Sequence, residues 1–346
     1  MSPLTSVRRG LAAAAAAAAL MASAACSDDD GGGDTPAPGG VDQATYLTSF
    51  QASAHDAFIF LAEKRGYFDE VGIDLTIELG SGSANYPVML AGEAQFAYTD
   101  ITGLLIDIGR GDVQPGDFQV LAAVHHTTLA AIVAPADSDI KVPADLEGKR
   151  LAAFQGSPTH DLLPAYAEMS GWTYDPDLVL GTSPQELFGT LASGQVDALS
   201  TFIIQKGVIE SIIGKETVAL PFNEYLDDVV GTGLITTGAL AAENPDLVTR
   251  FRDAALRGLR DTLANPEEAI AALQEAHPDA VQNVDAFAGQ IRTMTPYITG
   301  QGEDRIGVLD EAHIVRCISV LVSSGVIDTE VEPSAVLGDL SLLTTS

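Results

Sequence analysis

Cysteine is scarce in this chain, and its two cysteines stand in very different surroundings. Cys26 ends an N-terminal segment of secretory type, which leaves Cys317 alone in the body of the protein. No intrachain disulfide is therefore predicted there. Cys317 lies within the apolar helical pattern of residues 314–322, which predicts a small buried hydrophobic side chain.

Basic residues are also few, with 17 lysines and arginines against 48 acidic side chains and a formal net charge of −31. A surface this acidic repels nucleic acids and anionic lipid headgroups, so we expect no nucleic-acid partner. A solubilising role explains the charge in simple terms. A small anionic ligand is still compatible with it, because local dipoles can hold such a ligand.

Catalytic and metal-binding signatures are missing. The sequence has no His-x-x-x-His pair, Gly-x-Ser-x-Gly elbow, Walker loop or dinucleotide fingerprint. His125 and His126 are neighbours on a predicted strand and so point to opposite faces, where they cannot share a metal ion. We expect no metal, no cofactor and no catalytic residues. The β-sandwich and coiled-coil patterns typical of adhesive proteins are absent too.

The chain has one apolar run of note, and it lies at the N-terminus. Arg8-Arg9 precedes the alanine-rich residues 10–22, and the small residues Ser23-Ala24-Ala25 follow. The run is short for a bilayer core of ~30 Å, so residues 1–25 are predicted to be a cleaved signal peptide. Arg8-Arg9 also permits twin-arginine export.

Cys26 completes the sequence Ser23-Ala24-Ala25-Cys26, which resembles a bacterial lipobox with Ser23 in place of the preferred leucine. We expect Cys26 to be a lipid anchor; an ordinary signal cleavage site beside an unmodified cysteine is the alternative. Residues 26–44 are rich in Asp, Gly and Pro and have little apolar surface to bury, which predicts a disordered tether.

The remaining residues, about 300 in number, are enough for two lobes or one large domain. Residues 73–79 alternate apolar and polar positions as a strand does, and residues 55–65 have helical spacing before Gly66. Further strands are predicted at 95–99, 120–124, 130–134, 151–154 and 196–201, and helices at 101–108, 158–169, 208–213, 247–263, 266–276, 284–294 and 311–323. This order predicts an α/β fold with largely parallel sheets.

Two stretches of the chain are similar. Residues 91–99 and 193–201 each combine a helix ending at glycine, a turn and a strand that ends in threonine. Upstream, residues 79–83 and 154–157 each run from a strand into a Gly-Ser loop. The repeat predicts two β/α lobes. Because ligands of open α/β sheets bind outside the carboxyl ends of the strands, both loops are expected to face one cleft.

Four motifs resemble the type II periplasmic solute-binding proteins of ABC importers, in the group for sulfonates, taurine, nitrate and thiamine-pyrimidine precursors. The motifs are Ala57 to Ile73 (AFIFLAEKRGYFDEVGI), Leu90 to Phe96, Asp145 to Leu151 and Leu191 to Ala198. The resemblance implies two lobes joined by a two-strand hinge. Residues 45–134 and 235–346 would form lobe one, completed by the C-terminal helices, and residues 135–234 would form lobe two.

The same resemblance implies the function. The protein is expected to capture a small organic or oxyanion ligand by lobe closure and to deliver it to an ABC permease. It would work as a monomer outside the cytoplasm, held at the bacterial cell membrane by its lipid alone. The alternative is an enzyme on the same fold that acts on a sulfur- or pyrimidine-containing small molecule. The pyrimidine-precursor synthases carry a cysteine-rich motif that this chain lacks.

The candidate ligand-binding residues come from the loops that the resemblance places at the cleft. They are Phe50, Gln51, His55, Asp56, Gly82, Ser83, Tyr86, Thr99, Asp100, Gln155, Gly156, Ser157, Thr201, Phe202 and Gln205. No arginine is among them, so no bidentate clamp on a carboxylate or phosphate is predicted.

Several of these residues have alternative roles. Asp56 is expected either to hold a ligand amine or to complete a capping box with Ser53. Gly82-Ser83 and Gly156-Ser157 either bind an anionic oxygen through backbone amides or cap helices. His55 is a cleft or surface residue, Asp100 a ligand contact or a helix cap, and Phe202 a cleft or core residue. Phe50 and Tyr86 either stack on a flat ligand or pack internally.

Overall fold

The computed structural model describes residues 40–175 and 177–338, which form two five-stranded sheets covered by helices. The predicted signal peptide, Cys26 and residues 27–39 of the predicted tether lie outside the described residues. Within the described part of the chain, no helix is long and apolar enough to cross a membrane.

The elements alternate along most of the chain. The strands are β1 (Asp42–Leu47), β2 (Ile73–Glu78), β3 (Phe96–Asp100), β4 (Phe118–Ala123), β5 (Ala130–Pro135), β6 (Arg150–Phe154), β7 (Asp177–Gly181), β8 (Ala198–Phe202), β9 (Thr217–Pro221) and β10 (Thr232–Thr237). The helices are α1 (Ala57–Lys64), α2 (Tyr67–Glu70), α3 (Asn85–Leu90), α4 (Ile101–Arg110), α5 (Pro158–Asp161), α6 (Leu163–Ser170), α7 (Pro184–Ala192), α8 (Lys206–Ile213), α9 (Gly238–Glu243), α10 (Pro245–Ala264), α11 (Pro266–Ala276), α12 (Val284–Thr299), α13 (Glu311–Ser323) and α14 (Ser334–Leu337).

Both sheets have the same topology. The first has the order β2-β1-β3-β10-β4, with β10 antiparallel to its two neighbours, and the second has the order β7-β6-β8-β5-β9, with β5 antiparallel to its neighbours. The remaining neighbours pair in parallel. The predicted α/β fold of two similar β/α lobes is confirmed.

Of the two similarities found in the sequence, the first is confirmed and the second is wrong. Residues 91–99 and 193–201 lead into β3 and β8, which hold equivalent places in the two sheets. The two Gly-Ser loops are not equivalent, because residues 79–83 follow β2 whereas residues 154–157 follow β6, the counterpart of β1. Glycine and serine are common after any strand, so a Gly-Ser loop in both stretches does not show that the preceding strands are equivalent.

The chain crosses between the sheets in two segments, residues 124–129 and residues 222–231. The lobe boundaries were predicted at 134/135 and 234/235, which lie inside β5 and β10. In each case the chain has already crossed to the other sheet before the predicted boundary. The strand β1 begins at Asp42, inside the segment assigned to the tether. The division into two domains itself stays a prediction.

Sequence patterning misses β1, β7, β9 and β10. The strand β10 is buried on both faces, which removes the alternation that marks a half-buried strand. A Cβ on its Gly233 would lie 2.4 Å from the carbonyl oxygen of Ala122, so glycine is needed for the close approach of β4. The edge strand β7 is largely exposed and so lacks an apolar face.

The C-terminal helices pack on the first sheet. The Phe251 ring on α10 stacks on the Phe96 ring of β3, with 3.7 Å between centroids. A Cβ on Gly258 would lie 2.4 Å from the carbonyl oxygen of Phe58, so α10 approaches α1 closely through a glycine. These contacts agree with the prediction that the C-terminal helices complete lobe one, and the assignment itself stays a prediction.

The two halves contact each other at more than one place. On one side α4 packs against α5, where Arg110 forms a bidentate ion pair with Asp161 at 3.1 and 3.2 Å. On the other side the 3-10 turn Ile203–Gln205, which follows β8, packs against α12. We call the space between the carboxyl ends of the two sheets the cleft.

Candidate functional site

The loop after β1 forms one wall of the cleft and presents an aromatic ring. Phe50 is 45% exposed. Its neighbour Gln51 has φ of 52°, the one positive φ at a non-glycine residue in the described ranges. The Gln51 amide donates to the Gly80 carbonyl at 2.9 Å, and the Thr48 hydroxyl donates to the Gln51 carbonyl at 2.8 Å. The loop therefore holds Phe50 on a fixed backbone.

The loop after β2 is bonded to the loop after β1. The Gly80 backbone amide donates to the Thr48 hydroxyl at 2.9 Å, and the side-chain amide of Asn85 donates to the Thr48 carbonyl at 3.0 Å. The Gly82 amide donates to the Ser49 carbonyl at 2.8 Å, so it is not free for an anionic ligand. Ser83 is exposed. Sequence reasoning missed Thr48 and Asn85, since polar residues at strand ends carry no signal of a partner elsewhere in the chain.

Asp56 is fully buried and bonds to residues in and around the loop after β1. Its carboxylate accepts hydrogen bonds from the hydroxyls of Tyr46 at 2.6 Å, Ser49 at 2.8 Å and Ser53 at 3.2 Å, and from the Ser49 amide. Burial raises the pKa of Asp56 to about 6, and these hydrogen bonds oppose the rise. The carboxylate is thus occupied by the protein. The Ser53 side chain forms no cap bond, so the predicted capping box is wrong.

His55 and Phe202 lie together although they come from different sheets. Their rings are 6.3 Å apart at the centroids, and His55 also lies edge-on to Tyr98 and His125. Burial lowers the pKa of His55 to about 4, so its imidazole is neutral at neutral pH. Both residues are only partly buried. This ring group places aromatic surface at the floor of the cleft.

Tyr86 packs inside the protein. It is 6% exposed, its hydroxyl is 3.0 Å from that of Thr99, and its ring is 4.9 Å from the Phe118 ring. Asp100 caps α4 by accepting a hydrogen bond from the Gly103 amide at 2.8 Å. Burial raises the pKa of Asp100 to about 7, against the effect of its backbone hydrogen bonds. Thr99 and Asp100 keep partial exposure at the end of β3.

The opposite wall belongs to the second sheet. Gln155 and Gly156 are exposed after β6, and Ser157 caps α5 by accepting a hydrogen bond from the Thr159 amide at 3.3 Å. Thr201 in β8 and Gln205 in the turn that follows β8 are partly exposed. Ten of the candidate residues therefore keep accessible surface, namely Phe50, Gln51, His55, Thr99, Asp100, Gln155, Gly156, Thr201, Phe202 and Gln205. The ring contact between His55 and Phe202 brings two of them together from different halves. Which of them touch a ligand stays a prediction.

The cleft offers aromatic faces, amides and hydroxyls rather than a charged clamp. Among the described residues, no group of three or more His, Cys, Asp and Glu side chains is arranged to hold a metal ion. The chemistry of the accessible residues suits a small, mostly neutral or planar solute, recognised by stacking and hydrogen bonds.

Comparison with known proteins gives a family and a fold. A family model described as NMT1/THI5 like matches residues 53–269. The formylaminopyrimidine-binding protein of Halalkalibacterium halodurans is 25% identical over 250 residues, which cover 69% of this chain and 73% of that protein.

Two solved structures extend the comparison of folds. The periplasmic aliphatic sulphonate binding protein SsuA from Escherichia coli has a TM-score of 0.68 and 14% identity, covering 86% of this chain and 92% of that one. The desulfurization enzyme DSZB has a TM-score of 0.54 and 18% identity, covering 87% of this chain and 97% of that one. The periplasmic-binding-protein fold predicted from the sequence is confirmed, and an enzyme is built on a similar fold.

Proposed function

The chain belongs to the NMT1/THI5 like family, and we propose that it is an extracytoplasmic solute-binding protein that serves an ABC importer. One observation carries the proposal. In a fold of two sheets of equal topology, His55 of one half meets Phe202 at the carboxyl end of β8 in the other. A solute held there would touch both halves, and closure of the halves over it would create the form that a permease recognises.

Within the ligand classes expected from the sequence, we favour a planar nitrogen heterocycle of the aminopyrimidine type. The exposed Phe50 ring and the neutral His55 and Phe202 rings supply stacking surfaces. Gln155, Thr201 and Gln205 supply donors and acceptors for ring nitrogens and amino groups. The Gly82 amide is already bonded within the protein, which weakens the case for a sulfonate, taurine or nitrate. A relative named for formylaminopyrimidine agrees with this choice.

The remaining features of the proposal follow from this role. The protein captures and releases its solute unchanged rather than acting as an enzyme. It is a monomer, attached to the bacterial cell membrane through lipidated Cys26, and its partners are the solute and a membrane permease. Its acidic charge opposes nucleic-acid binding.

Thermal unfolding of the refolded, solute-free protein tests the function. We expect a formylated aminopyrimidine to raise Tm with concentration, and taurine, an alkanesulfonate and nitrate to raise it less, because a solute that binds the native state stabilises it by mass action. Chromatography of the recovered solute should show it unchanged. Failure of all four solutes would count against the ligand classes expected from the sequence, and conversion of the solute would favour an enzyme.

A pair of variants tests the stacking surface. Phe50→Ala should remove most of the shift in Tm caused by the aminopyrimidine. Ile212→Ala is the matched control, since Ile212 is similarly exposed (47%) but lies on α8, outside the candidate residues. An equal loss in both variants would count against stacking on Phe50.

A further inference from the structure

A small cavity lies beside His55, and its other lining residues are outside the set of ligand-binding candidates. Its volume is about 10 Å³, and its walls come from the start of α1, the crossing segment 124–129, α10 and α12. Most of the lining is apolar, including Phe58, Leu259 and Met294. The room is that of about one water molecule.

Two buried polar side chains line this cavity with an atom unsatisfied. His125 is 1% exposed and Thr262 is 3% exposed. Among the described residues, neither His125 Nε2 nor Thr262 Oγ1 has a hydrogen-bond partner. An unpaired buried polar atom is unfavourable, so two of them at one cavity indicate a shared partner.

The other side of the His125 ring is fixed, which determines where Nε2 must find its partner. His125 Nδ1 is 3.0 Å from the Tyr98 hydroxyl and also contacts the Thr232 hydroxyl. If Nδ1 accepts from a hydroxyl, Nε2 carries the proton and needs an acceptor; if Nδ1 donates, Nε2 needs a donor. Water and the Thr262 hydroxyl can each donate or accept, so either tautomer of His125 can bond to them.

We propose that this cavity is a binding site for one ordered water molecule that bridges His125 Nε2 and Thr262 Oγ1. The water links α10, which packs on the first sheet, to the crossing segment that leads into β5 of the second. It thereby fixes the orientation of the His125 ring, which lies 6.0 Å from the His55 ring at the cleft. The proposal does not depend on the identity of the solute.

Crystal structures at atomic resolution of the refolded, solute-free protein test the site directly. We expect one isolated density peak within hydrogen-bond distance of both atoms. An empty cavity, a direct bond between Nε2 and Oγ1, or density continuous with a solute in the cleft would each overturn the proposal.

Variants on α10 provide a second readout. Thr262→Val keeps the shape of the side chain but removes its hydroxyl, so the peak should be lost and the ¹⁵N imidazole resonances of His125 should shift. Thr262→Ser should retain both signals. Thr249→Val is the matched control on the same helix, because the Thr249 hydroxyl is exposed and bonded to the Pro245 carbonyl. Unchanged density and resonances in Thr262→Val would also refute the site, and the serine variant decides it if the valine variant does not fold.

Discussion

The His55 ring meets the Phe202 ring edge-on, with 6.3 Å between centroids and 69° between planes. His55 belongs to the turn that enters α1, and Phe202 ends β8 in the other sheet. Burial lowers the pKa of His55 to about 4, so the two rings meet without a charge at neutral pH. The contact therefore joins the two halves of the protein.

Removal of the Phe202 ring should weaken solute binding. An aromatic pair contributes about 0.5–1.5 kcal/mol beyond its buried area, so we expect Phe202→Ala to raise Kd by about tenfold. Isothermal titration with the solute that gives the largest Tm shift measures this change. Phe202→Leu preserves an apolar side chain and should lose less affinity for the solute. Equal affinity of the wild type and both variants would show that the ring lies outside the site.

The two loops of the first wall should depend on Gly80. A Cβ at this position would lie 1.9 Å from the Thr48 carbonyl oxygen, so Gly80→Ala must displace the loop. We expect a loss of about 1–3 kcal/mol in the free energy of unfolding, measured by urea denaturation. Gly189→Ala in α7 is the control, because a Cβ there meets no atom within 4 Å and should add about 0.5–1 kcal/mol. Equal stability of the two variants would contradict the packing of the loops.

Asp100 should make stability depend on pH. Burial raises the pKa of its carboxyl from 3.8 to about 7 in the folded protein. The folded state therefore holds a proton that the unfolded state releases near pH 4, so this contribution is complete below about pH 4 and is lost as pH rises through about 7. Asp100→Asn keeps an acceptor for the cap of α4 and removes the titration.

The measurement is the free energy of unfolding of the wild type and Asp100→Asn from about pH 4 to about pH 8. We expect the free energy of unfolding of the wild type to fall relative to that of the variant as pH rises. Asp145→Asn serves as the control, since backbone hydrogen bonds from Lys141 and Val142 lower the pKa of Asp145. Titration of Asp145 therefore affects the free energy of unfolding only below the pH range of the measurement. A constant difference between the wild type and Asp100→Asn would contradict the raised pKa.

Cys26 should determine where the protein resides. If Cys26 is lipidated, Cys26→Ala removes the anchor, and the protein should move from the membrane fraction to the soluble extracytoplasmic fraction on fractionation. Cys317→Ala is the control, because Cys317 is buried in α13. Retention of Cys26→Ala in the membrane fraction would argue against a lipid anchor.

Much of the fold could be predicted because its signals are local. The helix predicted at 247–263 is α10, which begins at Pro245, and the Asn244 side chain before it accepts a hydrogen bond from the Leu247 amide at 3.2 Å. Ser183 likewise caps α7, and Gly171 ends α6 with φ of 81°. A cap acts within a few residues, so the neighbouring sequence specifies it.

The candidate site was harder to predict because its details depend on distant partners. Asp56 was a candidate to hold a ligand amine, yet its carboxylate accepts a hydrogen bond from Tyr46 of β1. Gly82 stood at a helix start, yet its amide bonds to Ser49. A backbone amide or a carboxylate looks the same in the sequence whether it faces a ligand or is bonded within the protein.

The sequence by itself determined the α/β class, most of the helices and the loops that surround the cleft, since periodicity and capping are local properties of the chain. Only the tertiary structure decided that β10 enters the first sheet between β3 and β4, that the crossings precede the predicted boundaries, and that His55 meets Phe202. These relationships join residues far apart in the chain, and their free energy comes from packing and pairing that exist only once the two sheets have formed.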